Sequence, residues 1–400
     1  MRELQNVRMK ICIYNVDDGE TVYNHLPLLV GDIENCTNDG FIEVVNSSDP
    51  DSKGLKWPVV EGAFKVLVKL KRGQNLIRLK YGEEILIFKL YRENPSFKHF
   101  VRPVYIICED DDGYFQGPDG EDCSPQSALD RITLGAMLIQ TFTAENLKEH
   151  GLGRYTFQIE TNQLNDPMCH LFRSKLTLER AQSMSGGDLW NHFAKELMES
   201  DFDNKDMCKW YCFMSFTRYK PPEDVPYPKT HGEILKYTKG HTALGGGGLA
   251  LFGTGNLHTW ARYIHEIHSR FTDTRKIDRK ILMDDSAYRE FYWANYATGL
   301  GASLHELGHT FNLAHTPTGI MARGFDDFNK VFTVQRLKVR DQPMTKRSNS
   351  SSNKTSLPRN ISSGPVDGSP FKRSHKSKMN KDICYGSPLR KVILFKLCNS

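Results

Sequence analysis

The chain has 400 residues, 39% of them hydrophobic and 25% charged, with nine cysteines and a formal net charge of +5. That length and apolar content exclude a small disulfide-stapled module and a wholly disordered chain, and suit two domains plus a segment without a core. The charge is uneven: residues 340–400 hold 13 Lys and Arg against 3 Asp, or +10, which leaves −5 for residues 1–339. The body is mildly acidic and the tail strongly basic. An odd, scattered set of cysteines fits reduced thiols, the start has no apolar signal region, and no run reaches the roughly 18 apolar residues of a membrane span. The expectation is a cytoplasmic or nuclear protein without a membrane partner.

In chain order, residues 1–108 read as a β-rich accessory domain. Val7 to Tyr14, Thr21 to Glu34, Phe41 to Asn46, Ala63 to Leu70, Asn75 to Lys80, Glu84 to Tyr91 and Val101 to Cys108 are β-branched, aromatic or alternating, with turn residues between them. Seven short strands predict a β-sandwich of immunoglobulin-like kind. Residues 109–126, with Glu109-Asp110-Asp111-Asp112 and Glu121-Asp122, read as a solvated acidic linker, since EF-hand spacing would put Cys108 at the first ligand position. A helical period then runs from Ser127 to about His150, followed by a strand at Tyr155 to Glu160, a helix at Leu189 to Met198 and a strong strand at Trp210 to Arg218. Cys208 and Cys212 lack zinc-ribbon spacing and read as packed thiols.

The glycine-rich stretch from Gly245 to Asn256 has no Gly-Lys-Ser/Thr after it, so it is not a phosphate loop. Glycines flanking an apolar run suit an edge strand that another backbone can approach. Gly247, Gly248, Leu249, Ala250 and Leu251 are therefore the candidate substrate cradle. A plain loop and strand is the alternative.

The motif that carries chemistry is His305-Glu306-Leu307-Gly308-His309, followed by Asn312, His315 and Met321. Histidines four apart on a helix share one face, so both imidazoles reach a single ion, and the adjacent glutamate is placed to take a proton rather than to bind metal. His315 is the third candidate ligand. Six residues beyond His309 is off that face, so the helix must stop and the chain turn back. Asn312 is the expected turning point, because asparagine tolerates the left-handed conformation. The supporting helix is expected to begin near Asp285 or Ser286, good N-cap residues.

His305-Glu306-x-x-His309-x-x-Asn312-x-x-His315 with Gly319-Ile320-Met321 resembles the metzincin zinc signature and its methionine turn. Together with Gly245 to Trp260, Ser127 to Glu145 and Arg323 to Asp327, it is similar to a eukaryotic family of intracellular zinc metallopeptidases. Some members of that family continue into a jacalin-like lectin domain, which is not expected here. The resemblance implies an α+β chain whose residues 127–335 form a metzincin-like peptidase domain. It implies one Zn2+ per chain on His305, His309 and His315, with Glu306 as general base and Met321 as the floor beneath the metal. The partner is then a peptide or protein substrate. Two other readings stay open: a zinc-stabilised, inactive peptide-binding module, and a protease acting on nucleic-acid-bound proteins. Residues 336–400, rich in Ser, Asn, Lys and Arg, read as a disordered basic tail and are the one support for a nucleic-acid contact.

Overall fold

In the computed structural model the described residues are 9–95, 98–323 and 325–335. The expected basic tail lies outside them. The chain is a mixed α+β structure, and no helix among the described residues is long and apolar enough to cross a membrane.

Eight strands come first: β1 (Lys10–Ile13), β2 (Glu20–Val22), β3 (Leu28–Glu34), β4 (Gly40–Asn46), β5 (Leu55–Val60), β6 (Ala63–Leu67), β7 (Gly73–Tyr81) and β8 (Glu84–Arg92). They form one hydrogen-bonded sheet in the order β1-β3-β6-β5-β4-β7-β8-β2. β1 also approaches β8, so this large sheet curls. The expected two packed sheets are thus one continuous ladder. Strand β5 escaped notice because Pro58 lowers the strand character of its run, yet it buries Trp57 and Val59 and pairs with β4.

The expected seventh strand belongs elsewhere. β9 (Phe100–Ile107) lies in a second sheet that is built from residues far along the chain. After α1 (Pro125–Glu149) come β10 (His170–Arg173), α2 (Leu178–Ser183), α3 (Gly186–Glu199), β11 (Cys208–Met214), β12 (Arg218–Tyr219), α4 (His231–Lys236), β13 (Thr238–Lys239), β14 (Ala243–Gly246) and β15 (Leu249–Gly253). The second sheet has the order β10-β9-β11-β15-β14, parallel except for β14, which runs antiparallel to β15. Strand β11 is buried on both faces, as an inner parallel strand should be. Its Trp210, Cys212 and Met214 pack with Leu189, Phe193 and Leu197 of α3. Its Tyr211 and Phe213 face the other way, into the core shared with α1 and α6 (Tyr292–Thr310). All seven cysteines among the described residues are free thiols.

Helix α1 joins the curled sheet to the rest. It starts on Pro125, with the Ser124 hydroxyl accepting from the Ser127 amide at 3.3 Å. Farther along, Gln140 accepts from the His25 amide at 3.1 Å, and the Thr141 hydroxyl donates to the Leu26 carbonyl at 2.6 Å. Arg154 pairs with both Glu20 and Glu145, so one buried guanidinium ties β2 to the end of the helix.

Residues 109–126 are folded against the body rather than solvated. Asp111 is buried and accepts from the Ser215 hydroxyl at 2.8 Å, and Asp110 accepts from the Leu178 amide at the start of α2 at 2.7 Å. Glu121 pairs with Arg131 and Arg270. The acidity that looked like solvation is spent on helix ends and buried guanidinium groups. Tyr155 to Glu160 forms only an isolated bridge from Ile159 to Val101.

The last helices among the described residues are α5 (Ile267–Phe271), α6 and α7 (Asn329–Phe332). Helix α6 begins later than expected. Ala287, Tyr288 and Glu290 all have positive φ, which a helix cannot contain, and Asp284 and Ser286 cap this turn instead. The first amides of α6, at Tyr292 and Trp293, donate to the carbonyls of Arg275 and Asp273, both at 3.0 Å.

Candidate metal centre

The C-terminal end of α6 is fixed to the second sheet from inside the core. The Tyr211 hydroxyl donates to Ser303 at 2.7 Å, and Ser303 in turn donates to the Leu300 carbonyl. Leu300, Leu304 and Leu307 are buried on that side. His305, Glu306 and His309 are thereby held at the rim of a packed helix, which is the rigidity a metal site requires.

Helix α6 stops at Thr310, and Asn312 takes φ 62°, the left-handed conformation that reverses the chain. The loop returns so that Met321 lies under Gly308. A Cβ added to Gly308 would sit 2.5 Å from the Met321 sulfur, so the thioether packs directly on the helix backbone there. Met321 is 1% exposed.

The structure brings His305, His309 and His315 together. Their three Nε2 atoms lie 3.2 Å apart in every pairing. These histidines are the one group of three or more possible ligands found to converge among the described residues. The remaining ring nitrogens explain the orientation. His305 Nδ1 donates to the Ile320 carbonyl at 2.7 Å and His309 Nδ1 to the Leu313 carbonyl at 2.8 Å, which leaves the Nε2 lone pairs of both rings pointing inward. Converging lone pairs repel unless a cation lies between them. For three corners of a tetrahedron with metal–nitrogen bonds of about 2.0 to 2.1 Å, the expected separation is about 3.3 Å. The donor set therefore fits a metal ion. Burial lowers the pKa of His305, with the Ile320 hydrogen bond opposing and the two neighbouring histidines adding to the shift.

Glu306 meets β14 beside the three histidines. Its Oε2 accepts from the Gly245 amide at 2.7 Å. Burial pushes its pKa up to about 7, against the opposing pull of that hydrogen bond.

The expected cradle is displaced by one strand. Leu249, Ala250 and Leu251 belong to β15, are at most 2% exposed, and pair with β11 on one side and β14 on the other, so they cannot accept an added strand. Gly247 and Gly248 form the hairpin turn, Gly247 with φ 55°. The edge is β14, and it lies against α6. Sequence reasoning missed Gly245, Leu313 and Ile320 because they act through backbone atoms. The glycine at 245 was the one available signal.

A family model described as "Putative peptidase family" matches residues 10–385, and the chain belongs to this family. Among curated relatives, it is 27% identical over 356 residues to a Schizosaccharomyces pombe protein named "Putative zinc metalloproteinase", covering 82% of this chain and 55% of that protein. A Saccharomyces cerevisiae protein with the same description is 24% identical over 351 residues, covering 81% and 49%. The chain spans about half the length of these relatives. Among solved structures, wild-type OgpA from Akkermansia muciniphila is 18% identical, with a TM-score of 0.36 over 59% of this chain and 57% of that one, too low to establish a shared fold.

Proposed function

We propose that the chain is a zinc metalloendopeptidase of metzincin-like kind, with one Zn2+ held by His305, His309 and His315 and with Glu306 as general base. The observation that carries this reading is the triangle of inward-facing Nε2 atoms beside a half-buried carboxylate. Bound zinc supplies polarisation of the scissile carbonyl and a lowered pKa for the attacking water. Glu306 removes the water's proton and delivers it to the leaving amine. Asn312 turns the chain so that His315 can reach the site, and Met321 supports the helix from below. The exposed edge of β14 holds an extended substrate by strand addition, with Ala243 and Gly245 presenting backbone groups. In this reading residues 127–335, joined by β9, make up the peptidase part, and the curled N-terminal sheet is an accessory part. The setting is cytoplasmic or nuclear.

The test separates ligand from base. Glu306→Gln should retain one zinc per chain while kcat falls by about 10²- to 10⁴-fold on any peptide that the wild type cuts. Wild-type protein that takes up no zinc during metal-replete purification overturns the assignment. Full zinc content with no cleavage across an unbiased peptide library would instead support the inactive peptide-binding module.

A further inference from the structure

The four consecutive glycines at 245–248 are not interchangeable. Gly247 needs its positive φ for the hairpin turn. Gly246 and Gly248 have open space where a Cβ would stand. Gly245 differs from all three. A Cβ there would lie 2.0 Å from the Glu306 carbonyl oxygen and 2.8 Å from its Cα, so a side chain would push β14 off the helix. The two backbones are thus in direct contact at the residue that follows the first ligand.

Strand pairing explains what this contact accomplishes. Gly246 pairs with Leu249 across the two-residue turn, so these residues exchange their hydrogen bonds within the hairpin. Gly245, one residue back, turns its N–H outward to the free edge, where the Glu306 carboxylate meets it at 2.7 Å. This bond engages Oε2, and among the described residues it is the one hydrogen bond found at the Glu306 carboxylate. A glutamate side chain has three rotatable bonds, and one charge-assisted bond from a rigid strand selects a single direction for it.

We infer that the Gly245 backbone N–H is a positioning donor that aims the Glu306 carboxylate, and that position 245 must be glycine so that β14 can lie close enough to make the bond. The inference rests on the reading of Glu306 as general base. It also sets how a substrate can add to β14. The Gly245 N–H is already engaged, so an incoming strand pairs through the Gly245 carbonyl and the backbone of Ala243.

Two measurements test it. In zinc-loaded protein, amide exchange at Gly245 followed by nuclear magnetic resonance should speed up about tenfold or more in Glu306→Ala relative to wild type. Replacing Gly245 with glycolic acid turns its N–H into an ester oxygen without adding an atom. That replacement should lower kcat by about 10- to 100-fold with KM changed less than about threefold and zinc content unchanged. Gly245→Ala should be at least as damaging, because it also displaces the strand. Equal exchange rates, or full kcat in the glycolate variant, overturn the inference. Failure of the wild type to cut any peptide removes the peptidase reading, whereas a Gly245 exchange rate that still responds to Glu306→Ala sustains the positioning contact.

Discussion

The three histidines and the cluster around Glu121 are both tight groups of ionisable side chains, and they are assembled on opposite principles. In the second cluster donors and acceptors match. Arg270 reaches both Glu121 oxygens, at 2.7 and 3.1 Å, while Arg131 bonds Glu121, the Trp260 carbonyl and, at 3.0 Å, the Ser127 hydroxyl. Burial works against the charge of Glu121, but the two guanidinium groups hold its carboxyl below the ordinary value. At the histidines, three ring nitrogens face one another, and the Nδ1 bonds of His305 and His309 make two of them acceptors turned inward. A cluster whose charges are mutually satisfied stabilises a fold, and one whose lone pairs converge unsatisfied binds something from outside.

Breaking one member of each cluster should separate the two roles. His309→Ala should reduce zinc affinity by orders of magnitude and abolish any zinc-dependent cleavage, as read by metal analysis after gel filtration and by peptide digestion. Stoichiometric zinc in that variant would place the ion elsewhere. Arg131→Ala should do the reverse. It leaves the Glu121 carboxylate beside a vacated site and should cost about 3 to 5 kcal/mol in denaturant unfolding while zinc content holds. A cost under about 1 kcal/mol would mean that Arg270 alone satisfies Glu121.

A matched cluster should also declare itself through pH. Burial disfavours the Glu160 carboxylate, yet bonds from Arg102 at 2.6 and 2.7 Å and from His170 at 2.9 Å bring its pKa down to about 2. A folded pKa below the unfolded value contributes stability that is present above the unfolded pKa and lost as pH falls through the folded one. Stability should therefore drop as pH falls from about 4.5 to about 2, and Glu160→Gln should flatten that decline in unfolding curves taken across the window. An unchanged slope would assign the acid sensitivity to the other paired carboxylates.

Side-chain chemistry was legible in the sequence, and chain geometry was legible only where one residue type dictates it. The histidine spacing placed His305 and His309 on one face, and the helix at Ser127 to His150 followed from its apolar period. Asn312 sits at the reversal because few other residues accept that φ. The strand Val101 to Cys108 had the right conformation and the wrong neighbours, because its partners, β10 and β11, lie more than sixty residues away, and strand pairing over that range leaves no local mark. The acidic run at 109–122 was misread for a related reason. Carboxylates in water and carboxylates bound to distant arginines look alike in sequence.

The smallest predicted effect tests the turn that brings His315 to the other two histidines. His315 reaches the other two rings only because the chain reverses at Asn312, whose φ of 62° carries a conformational cost for most residues. Asn312→Gly should leave zinc affinity within about threefold of wild type, since glycine adopts this conformation freely. Asn312→Ala should lose about 1 kcal/mol of turn stability, which appears as roughly a 5- to 10-fold weaker zinc affinity in competition with a chelator. The carbonyls of Leu313 and Ile320 are held by His309 and His305, so the loop is also pinned by these two rings. Equal affinity in the alanine variant would show that these two bonds and the packing of Met321 set the reversal, and that Asn312 merely accommodates it.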